Sequence, residues 1–426
     1  LGDVYKRQFT KRLLSLLLSL LLAFSLSGCK TSTEQGKSGQ TSQKTGQEQS
    51  KTEEQKQFDK FLDRQVKETL SQNTLNLHYQ LKDPEKYGIK QEKVSIGHIS
   101  PGQDKKALKE NKKTAEELSG FKRSSLTGKQ KLTYDILEDY LSMLIEESQY
   151  PLYDNIIGEV SGIQSNLPVT LAEYQFYREK DIKDYLTLLS QVTGYLQEAG
   201  EYLKAQSKAG LYVTDGAADT AAKQIDDFLK ESGEKNILSA TFKERVNDFS
   251  GISKEQKTTY NKQNKKLLKQ SVYPAFRSFK KTILSLKGTG KNSGGVCNLK
   301  NGKKYYRLVL KEQTGTNKTV SQLLSSVTGR LQSSVKQMVN LIQGDESLQK
   351  KFYNFDPVMT SPKKVLADLE KKAKTDYPPL KKVHYKIKYV PKALEDTLSP
   401  AFYMIPPIDD ETENTIYINK LSLIHI

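Results

Sequence analysis

Apolar residues recur at intervals of three and four along most of the chain after residue 58. Tyr185, Leu188, Leu189, Val192, Tyr195, Leu196, Ala199, Tyr202 and Leu203 form the longest such run, and this spacing places them on one face of a helix. Leu132, Ile136, Leu137, Tyr140, Leu141, Leu144 and Ile145 form a second stripe. Val320, Leu323, Leu324, Val327, Leu331, Val335, Met338, Val339 and Ile342 form a third. A fourth, through Leu267, Leu268, Val272, Phe276, Phe279 and Ile283, is interrupted by Pro274, which predicts a kink. Thr127 with Gln130, Ser253 with Gln256 and Thr319 with Gln322 fit capping boxes, in which a hydroxyl satisfies a free helix amide. Ser361-Pro362 sets a cap residue before a proline at the first helical position. The tyrosines on these stripes read as core residues whose hydroxyls reach water.

The period changes near the end. His384 to Val390 alternates and is rich in β-formers. Ala401 to Ile405 and Thr415 to Asn419 are two further short strands, separated by the turn-rich run Pro406-Pro407-Ile408-Asp409-Asp410. The fold class is therefore mostly α: a multi-helix body with a small antiparallel β element near the C-terminus.

The beginning of the chain follows a different rule. Lys11 and Arg12 precede an apolar run from Leu13 to Ser27. About fifteen residues are too few to span a bilayer, which takes about 20. Leu26-Ser27-Gly28-Cys29 then reads as a lipobox. Cleavage before Cys29 and diacylglyceryl transfer to its thiol would anchor the protein to the outer face of the cytoplasmic membrane, because two acyl chains hold far more firmly than one. Residues 30–57 are almost all Lys, Thr, Ser, Gln, Glu and Gly. This composition cannot offset the entropy of folding, so the stretch is expected to be a disordered tether spanning roughly 30 Å. Residues 1–8 and 420–426 look like non-native flanks, leaving 9–29 as signal peptide and 58–419 as an incomplete folded domain. A core cut before its final helices is expected to leave apolar surface exposed.

The net charge is +17. A lysine-rich solvated surface accounts for it, and so does attraction to anionic lipid or wall polymer. Nucleic acid is excluded as a partner, since export argues against it and no recognition motif is present. Cys29 and Cys297 are the only cysteines, so lipidation of the first leaves no intrachain disulfide. Cys297 lies in a Gly-Ser-Lys-rich stretch and reads as a loop thiol.

Catalytic motifs are missing. The histidines are His78, His98, His384 and His425, and no two are four apart. A zinc hydrolase helix carries His-Glu-x-x-His, so that both imidazoles face the metal while the glutamate activates water. The chain has no such run, and it has no nucleophile elbow, P-loop or dinucleotide fingerprint. Gly288-Thr289-Gly290 and Gly294-Gly295 read as flexible loop. No catalytic residue, metal ligand or cofactor is assigned within the chain.

Several segments nevertheless resemble the bacterial family called domain of unknown function 885. They are Phe58-Asp59-Lys60-Phe61 with Asp83-Pro84-Glu85-Lys86-Tyr87-Gly88, then Ser161 to Pro168 followed by Leu171-Ala172-Glu173-Tyr174. Asn301-Gly302-Lys303-Lys304-Tyr305-Tyr306 comes third. Tyr389 to Glu395 with Ser399 to Tyr403, Pro406 to Asp409 and Ile416 to Asn419 is the most specific. The resemblance implies a mostly helical, gluzincin-like zinc peptidase architecture. Members carry a His-Glu-Gly-x-Pro-Gly-His motif just after the strand matching Ile416 to Asn419, where this chain stops. Zinc is thus expected in the intact parent and not in this portion. In such peptidases a strand beside the metal helix holds a peptide by strand addition. By that likeness Tyr403, Tyr417 and Asn419 are cleft-lining candidates and peptide is the implied substrate. The rival reading is a non-catalytic surface lipoprotein that binds peptide or cell-wall polymer.

Overall fold

The structure is a computed structural model. It describes residues 51–420, apart from 161, 232, 293–294, 355–360, 379–382, 391–394 and 396–399. Cys29, the expected signal peptide, residues 30–50 of the tether and residues 421–426 lie outside the described residues. In chain order the elements are α1 (Glu53–Leu70), α2 (Thr74–Gln80), α3 (Gln103–Ser119), α4 (Gly128–Glu147), α5 (Ile163–Ala172), α6 (Glu179–Ala209) and α7 (Asp215–Lys230). Then come α8 (Ile237–Asp248), α9 (Lys254–Leu267), α10 (Tyr273–Ser285), α11 (Gly302–Thr314), α12 (Val320–Gly344), α13 (Glu346–Tyr353) and α14 (Pro362–Asp376). Three strands follow: β1 (His384–Tyr389), β2 (Ala401–Met404) and β3 (Glu413–Ile418). The mostly helical body with a small C-terminal sheet matches the sequence pattern.

The stripe on α6 organises the body. Ile182, Tyr185, Leu188, Leu189, Val192, Ala199 and Leu203 are wholly buried. They share one core with Phe242 of α8 and with Phe276, Phe279 and Ile283 of α10. Burying a large apolar side chain contributes about 1.5–3 kcal/mol, so a helix carrying this many becomes the hub. A smaller cluster joins α1, α3 and α4 through Phe58, Phe61, Leu118, Tyr134 and Leu137.

Local signals mostly act as read. Thr127, Ser253 and Thr319 all form their capping boxes. Pro362 opens α14, but the Ser361 hydroxyl makes no cap bond. Another capping box, Thr52 with Gln55, starts α1 at Glu53. The helix therefore begins at Glu53, inside the stretch 30–57 expected as tether. Composition missed this because the first turn is polar and only Phe58 onward is buried.

Pro274 produces a change of winding. A single π-helical turn, Leu268–Val272, joins α9 to α10, and Pro274 sits in the first turn of α10. There its missing N–H and fixed φ are tolerated. The glycine-rich loop is pinned: the Gly288 amide donates to Asp215 Oδ1 at 2.7 Å. A Cβ at Gly290 would come within 2.5 Å of the Tyr212 carbonyl oxygen.

The three strands order as β1-β3-β2, with β1 parallel and β2 antiparallel to β3. The sheet is mixed, which corrects the expectation of a wholly antiparallel element. The run between β1 and β3 exceeds the dozen residues that a parallel crossover needs, and β2 lies within it. The largest departure concerns α12. Its stripe was read like the other core stripes, yet no residue of α12 is buried.

The Asn-Gly-Lys-Lys-Tyr-Tyr segment has a structural cause. Asn301 adopts a left-handed backbone at φ 60°, which Asn tolerates better than most residues. A Cβ on Gly302 would overlap the Val296 carbonyl oxygen. Gly302→Ala is therefore expected to cost about 1–3 kcal/mol through overpacking. Gly329→Ala in α12, where a Cβ meets nothing within 4 Å, is expected to stabilise by up to about 1 kcal/mol. Urea midpoints of the two variants check both signs.

Candidate functional site

The joint between the sheet and the helical body concentrates the charged and aromatic groups that distant segments bring together. Side chains alternate across a strand. Lys388, Tyr417 and Phe402 therefore fall on one face by the pairing of Lys388 with Tyr417 and Phe402 with Tyr417. Phe402 and Tyr417 stack at 4.8 Å between ring centres, 8° from parallel. That face meets the end of α5, where Glu173 is the C-cap residue. Lys388 Nζ lies 3.5 Å from Glu173 Oε2 and 5.9 Å from the centre of the Tyr417 ring. Burial pushes the Tyr417 phenol well above its ordinary pKa, and the neighbouring Glu173 carboxylate pushes it further.

Arg245 of α8 supports the joint from behind. Its guanidinium lies 4.7 Å from the ring centre of Phe176 and 5.1 Å from that of Tyr185, a cation–π arrangement. It donates to the carbonyl oxygens of Tyr174 and, at 3.4 Å, Leu171. These carbonyls lie at the end of α5, where acceptors outnumber helical donors, and Leu171 also accepts from the Tyr174 amide at 3.4 Å. The Leu-Ala-Glu-Tyr segment is thus held in place by one side chain about seventy residues away in sequence.

Next to it, the His78 ring stacks on Tyr174 at 3.7 Å and 9°. His78 is buried, and its Nε2 has no hydrogen-bond partner. Desolvation lowers its pKa to about 3, and the charges of Arg178, Arg245 and Lys180 add to the effect. A small cavity of about 40 Å³ adjoins it, lined among others by Arg178, Asp181 and Asp184. Asp181 accepts from the amides of Tyr177 and Arg178, and burial raises its pKa. The space suits one or two waters, not a substrate.

The turn before β3 closes the assembly. Asp409 accepts from the Lys82 amide at 2.7 Å and from the Asp83 amide at 2.8 Å. The Ile408 amide donates to the Gln80 carbonyl at 2.9 Å. Lys82 Nζ bonds Asp410 at 2.6 Å and holds that carboxyl below the usual range. The Asp83-to-Gly88 segment and the Pro406-to-Asp409 segment therefore meet in space.

The cleft candidates separate. Tyr403 is half-exposed and bonds Asn414. Tyr417 is 4% exposed and Asn419 is 0% exposed. Asn419 donates through its side chain to the Glu395 carbonyl at 2.6 Å and through its amide to the Pro400 carbonyl at 2.8 Å. Tyr417 and Asn419 are buried where the sheet meets the body, since the alternation that exposes Tyr403 turns Tyr417 inward. Glu173, Arg245 and Asp409 were not singled out, because each acts across large sequence separations. Glu173 and Asp409 lay within quoted segments, which was the available signal. Among the described residues no group of three His, Cys, Asp or Glu is placed to share a metal ion, and no helix is long and apolar enough to cross a membrane.

The buried neutral His78 carries a pH dependence. Its folded pKa lies below the ordinary 6.5, so the unfolded chain binds the proton more tightly. Its contribution to stability is complete above about pH 6.5 and is lost as pH falls toward 3, at up to about 1.4 kcal/mol per unit. Between pH 7.5 and 5.0 the chain is expected to lose about 2 kcal/mol more than a His78→Phe variant. Urea melts of both proteins at the two pH values check the difference.

Comparison with known proteins follows the same outline. The family described as "Bacterial protein of unknown function (DUF885)" matches residues 85–423. A solved structure, of "the putative lipoprotein from Colwellia psychrerythraea", superposes with a TM-score of 0.71 at 18% identity. The match covers 86% of this chain and 67% of that one. None of the curated proteins matches. The matched span takes in the joint, the Asp409 turn and the sheet. The chain belongs to the DUF885 family of bacterial proteins.

Proposed function

We propose that the chain is the lipid-tethered, peptide-holding portion of an extracytoplasmic peptidase whose intact parent carries zinc. The observation that carries this reading is the sheet. β2 is an edge strand, clamped to the body through Phe402 and Tyr417 and presenting the half-exposed Tyr403. An edge strand on a rigid support can pair with an extended peptide through its backbone. Support for the anchor comes from the Leu-Ser-Gly-Cys run ending at Cys29 and from the description of the Colwellia protein as a "putative lipoprotein".

The described residues do not fit a zinc ion. His78 is buried against Tyr174 without the carboxylate or histidine partners a ligand set requires. No chemical step is therefore assigned to this chain. Its part is to hold peptide backbone and to fix the sheet against the helices.

Two measurements test the reading. Cells expressing the chain with labelled palmitate are expected to label the protein. Cys29→Ala should abolish the label and release the protein from membranes, and an unlabelled wild-type chain would sink the anchor. In the intact parent, a zinc chelator is expected to abolish peptide turnover. Tyr403→Ala is expected to raise KM several-fold with little change in kcat, the signature of lost uniform binding. Unchanged KM would remove β2 as the peptide-holding strand. Peptide or wall-polymer binding without any turnover would favour the non-catalytic lipoprotein.

A further inference from the structure

We infer that the outer side of the rod formed by α9 and α10 is a docking surface for an anionic lipid bilayer, made by Lys262, Lys266, Lys269, Arg277 and Lys281. The choice of a bilayer over a soluble polyanion rests partly on the anchored reading above; the surface itself does not.

The first ground is where the charge lies. Of the chain's 67 Lys and Arg and 50 Asp and Glu, residues 256–311 hold fifteen and none. The other 370 residues are nearly balanced, at 52 against 50. Almost the whole net charge of +17 therefore belongs to one segment, which spans most of α9, α10 and α11.

The second ground is alignment. α9, the π-helical turn and α10 follow one another without a break. Tyr260, Leu268, Val272, Phe276 and Ile283 mark the buried side of this rod. The five cations are all exposed, on the side opposite. Spacings of four and three align Lys262, Lys266 and Lys269, and a spacing of four aligns Arg277 with Lys281. Eight residues take Lys269 to Arg277, about one more than two α turns need. The π turn Leu268–Val272 absorbs the extra residue. The cations thus form one line about 28 Å long.

The third ground is the lack of counter-charge. Lys265, Lys280 and Lys287, beside the line, are paired with Glu234, Asp226 and Asp219. Among the described residues, none of the five cations on the line has an acidic partner. On α6 and α7 exposed lysines have an acid one turn away, as Lys183 has Glu179 and Lys223 has Asp227. Like charges one turn apart destabilise a helix. A line kept free of acids despite that effect calls for a counter-charge from outside the chain.

A bilayer supplies it in the right shape. A straight rod touches a plane along one line, and the cations occupy that line. A chain polymer is gripped better in a groove, where cations reach it from two sides. Four of the five are lysines, flexible point charges that suit a layer of headgroups, whereas recognition of single phosphates favours the arginine fork. Basic surfaces are drawn to anionic lipid within a Debye length. A lipid on Cys29 and a tether of roughly 30 Å keep the body in reach of the bilayer. The charged line then fixes which side faces it.

The test uses the full chain with Cys29→Ala, so that no acyl chain contributes. Vesicles of phosphatidylcholine containing phosphatidylglycerol are expected to sediment the protein. Raising salt from about 0.05 M to about 0.5 M is expected to release it. Lys262→Gln, Lys266→Gln, Lys269→Gln, Arg277→Gln and Lys281→Gln together are expected to weaken partitioning at least about tenfold. The control carries Lys105→Gln, Lys106→Gln, Lys109→Gln, Lys112→Gln and Lys113→Gln on α3, all exposed. It loses the same charge and is expected to change partitioning less than about twofold. The apolar run from Leu13 to Ser27 is common to every variant and cancels in the comparison. Absence of salt-sensitive partitioning into the anionic vesicles overturns the inference. Equal loss in the two variants also overturns it, by assigning the binding to net charge alone. Binding to soluble polyglycerol phosphate but not to vesicles assigns the surface to a wall polymer and overturns it too. Vesicle binding through the line, together with an unlabelled Cys29, upholds the surface and sinks the anchor.

Discussion

Removal of one face of α6 from water is the constraint on which the rest depends. Tyr185 sits on that face, parallel enough to Phe242 to stack at 5.2 Å. Arg245 lies over the same tyrosine. Its guanidinium bonds the carbonyls of Leu171 and Tyr174 as well as Thr241 one turn earlier on α8. Those carbonyls end α5 and so fix Glu173. Glu173 in turn meets Lys388 and Tyr417. A packed hydrophobic stripe is thereby converted, in three steps, into the position of a sheet. Even a half-buried cation is costly without such partners, so the geometry of each step depends on the one before it.

The joint is built almost wholly from long-range pairings. Residues 80–83 meet 408–410, Glu173 meets Lys388, and Arg245 meets 171–176. Much of the polar chemistry has a supporting role. His78 is neutral and stacked, Asp410 is paired to lysine, and Asp409 is occupied by two amides. Groups with shifted proton affinities often mark catalysis. Here the shifts trace to burial and to structural bonds, which suits a scaffold.

Helices were legible because their signals are local. The capping box at Thr127 and the period of the Tyr185 stripe each need only a short window of sequence. Pro274 was legible as a disturbance but not as a π-helical turn, because the choice between kink and extra residue depends on how Val272 and Phe276 pack. The strand segments could be read, while the parallel pairing of β1 with β3 could not, since register follows from where the body sits. The burial of Tyr417 was hidden for a related reason. Alternation puts Tyr403 and Tyr417 on opposite faces only once their pairing partners are known. The stripe of α12 was read correctly as apolar, and no feature within it tells whether a partner is present.

The strand order also has a consequence for synthesis. β3 is the middle strand, yet it is the last of the three to leave the ribosome. Until it arrives, β1 and β2 have nothing to pair with. At about 5–20 residues per second, the gap between completing β1 and completing β3 lasts roughly 2–6 s. During that interval residues 384–404 present alternating aromatic side chains with unsatisfied backbone, a form open to capture by neighbouring chains. The sheet thus depends on a late event, and the lysines interleaved through β1, at 386 and 388, are suited to keeping that strand from pairing with the wrong edge.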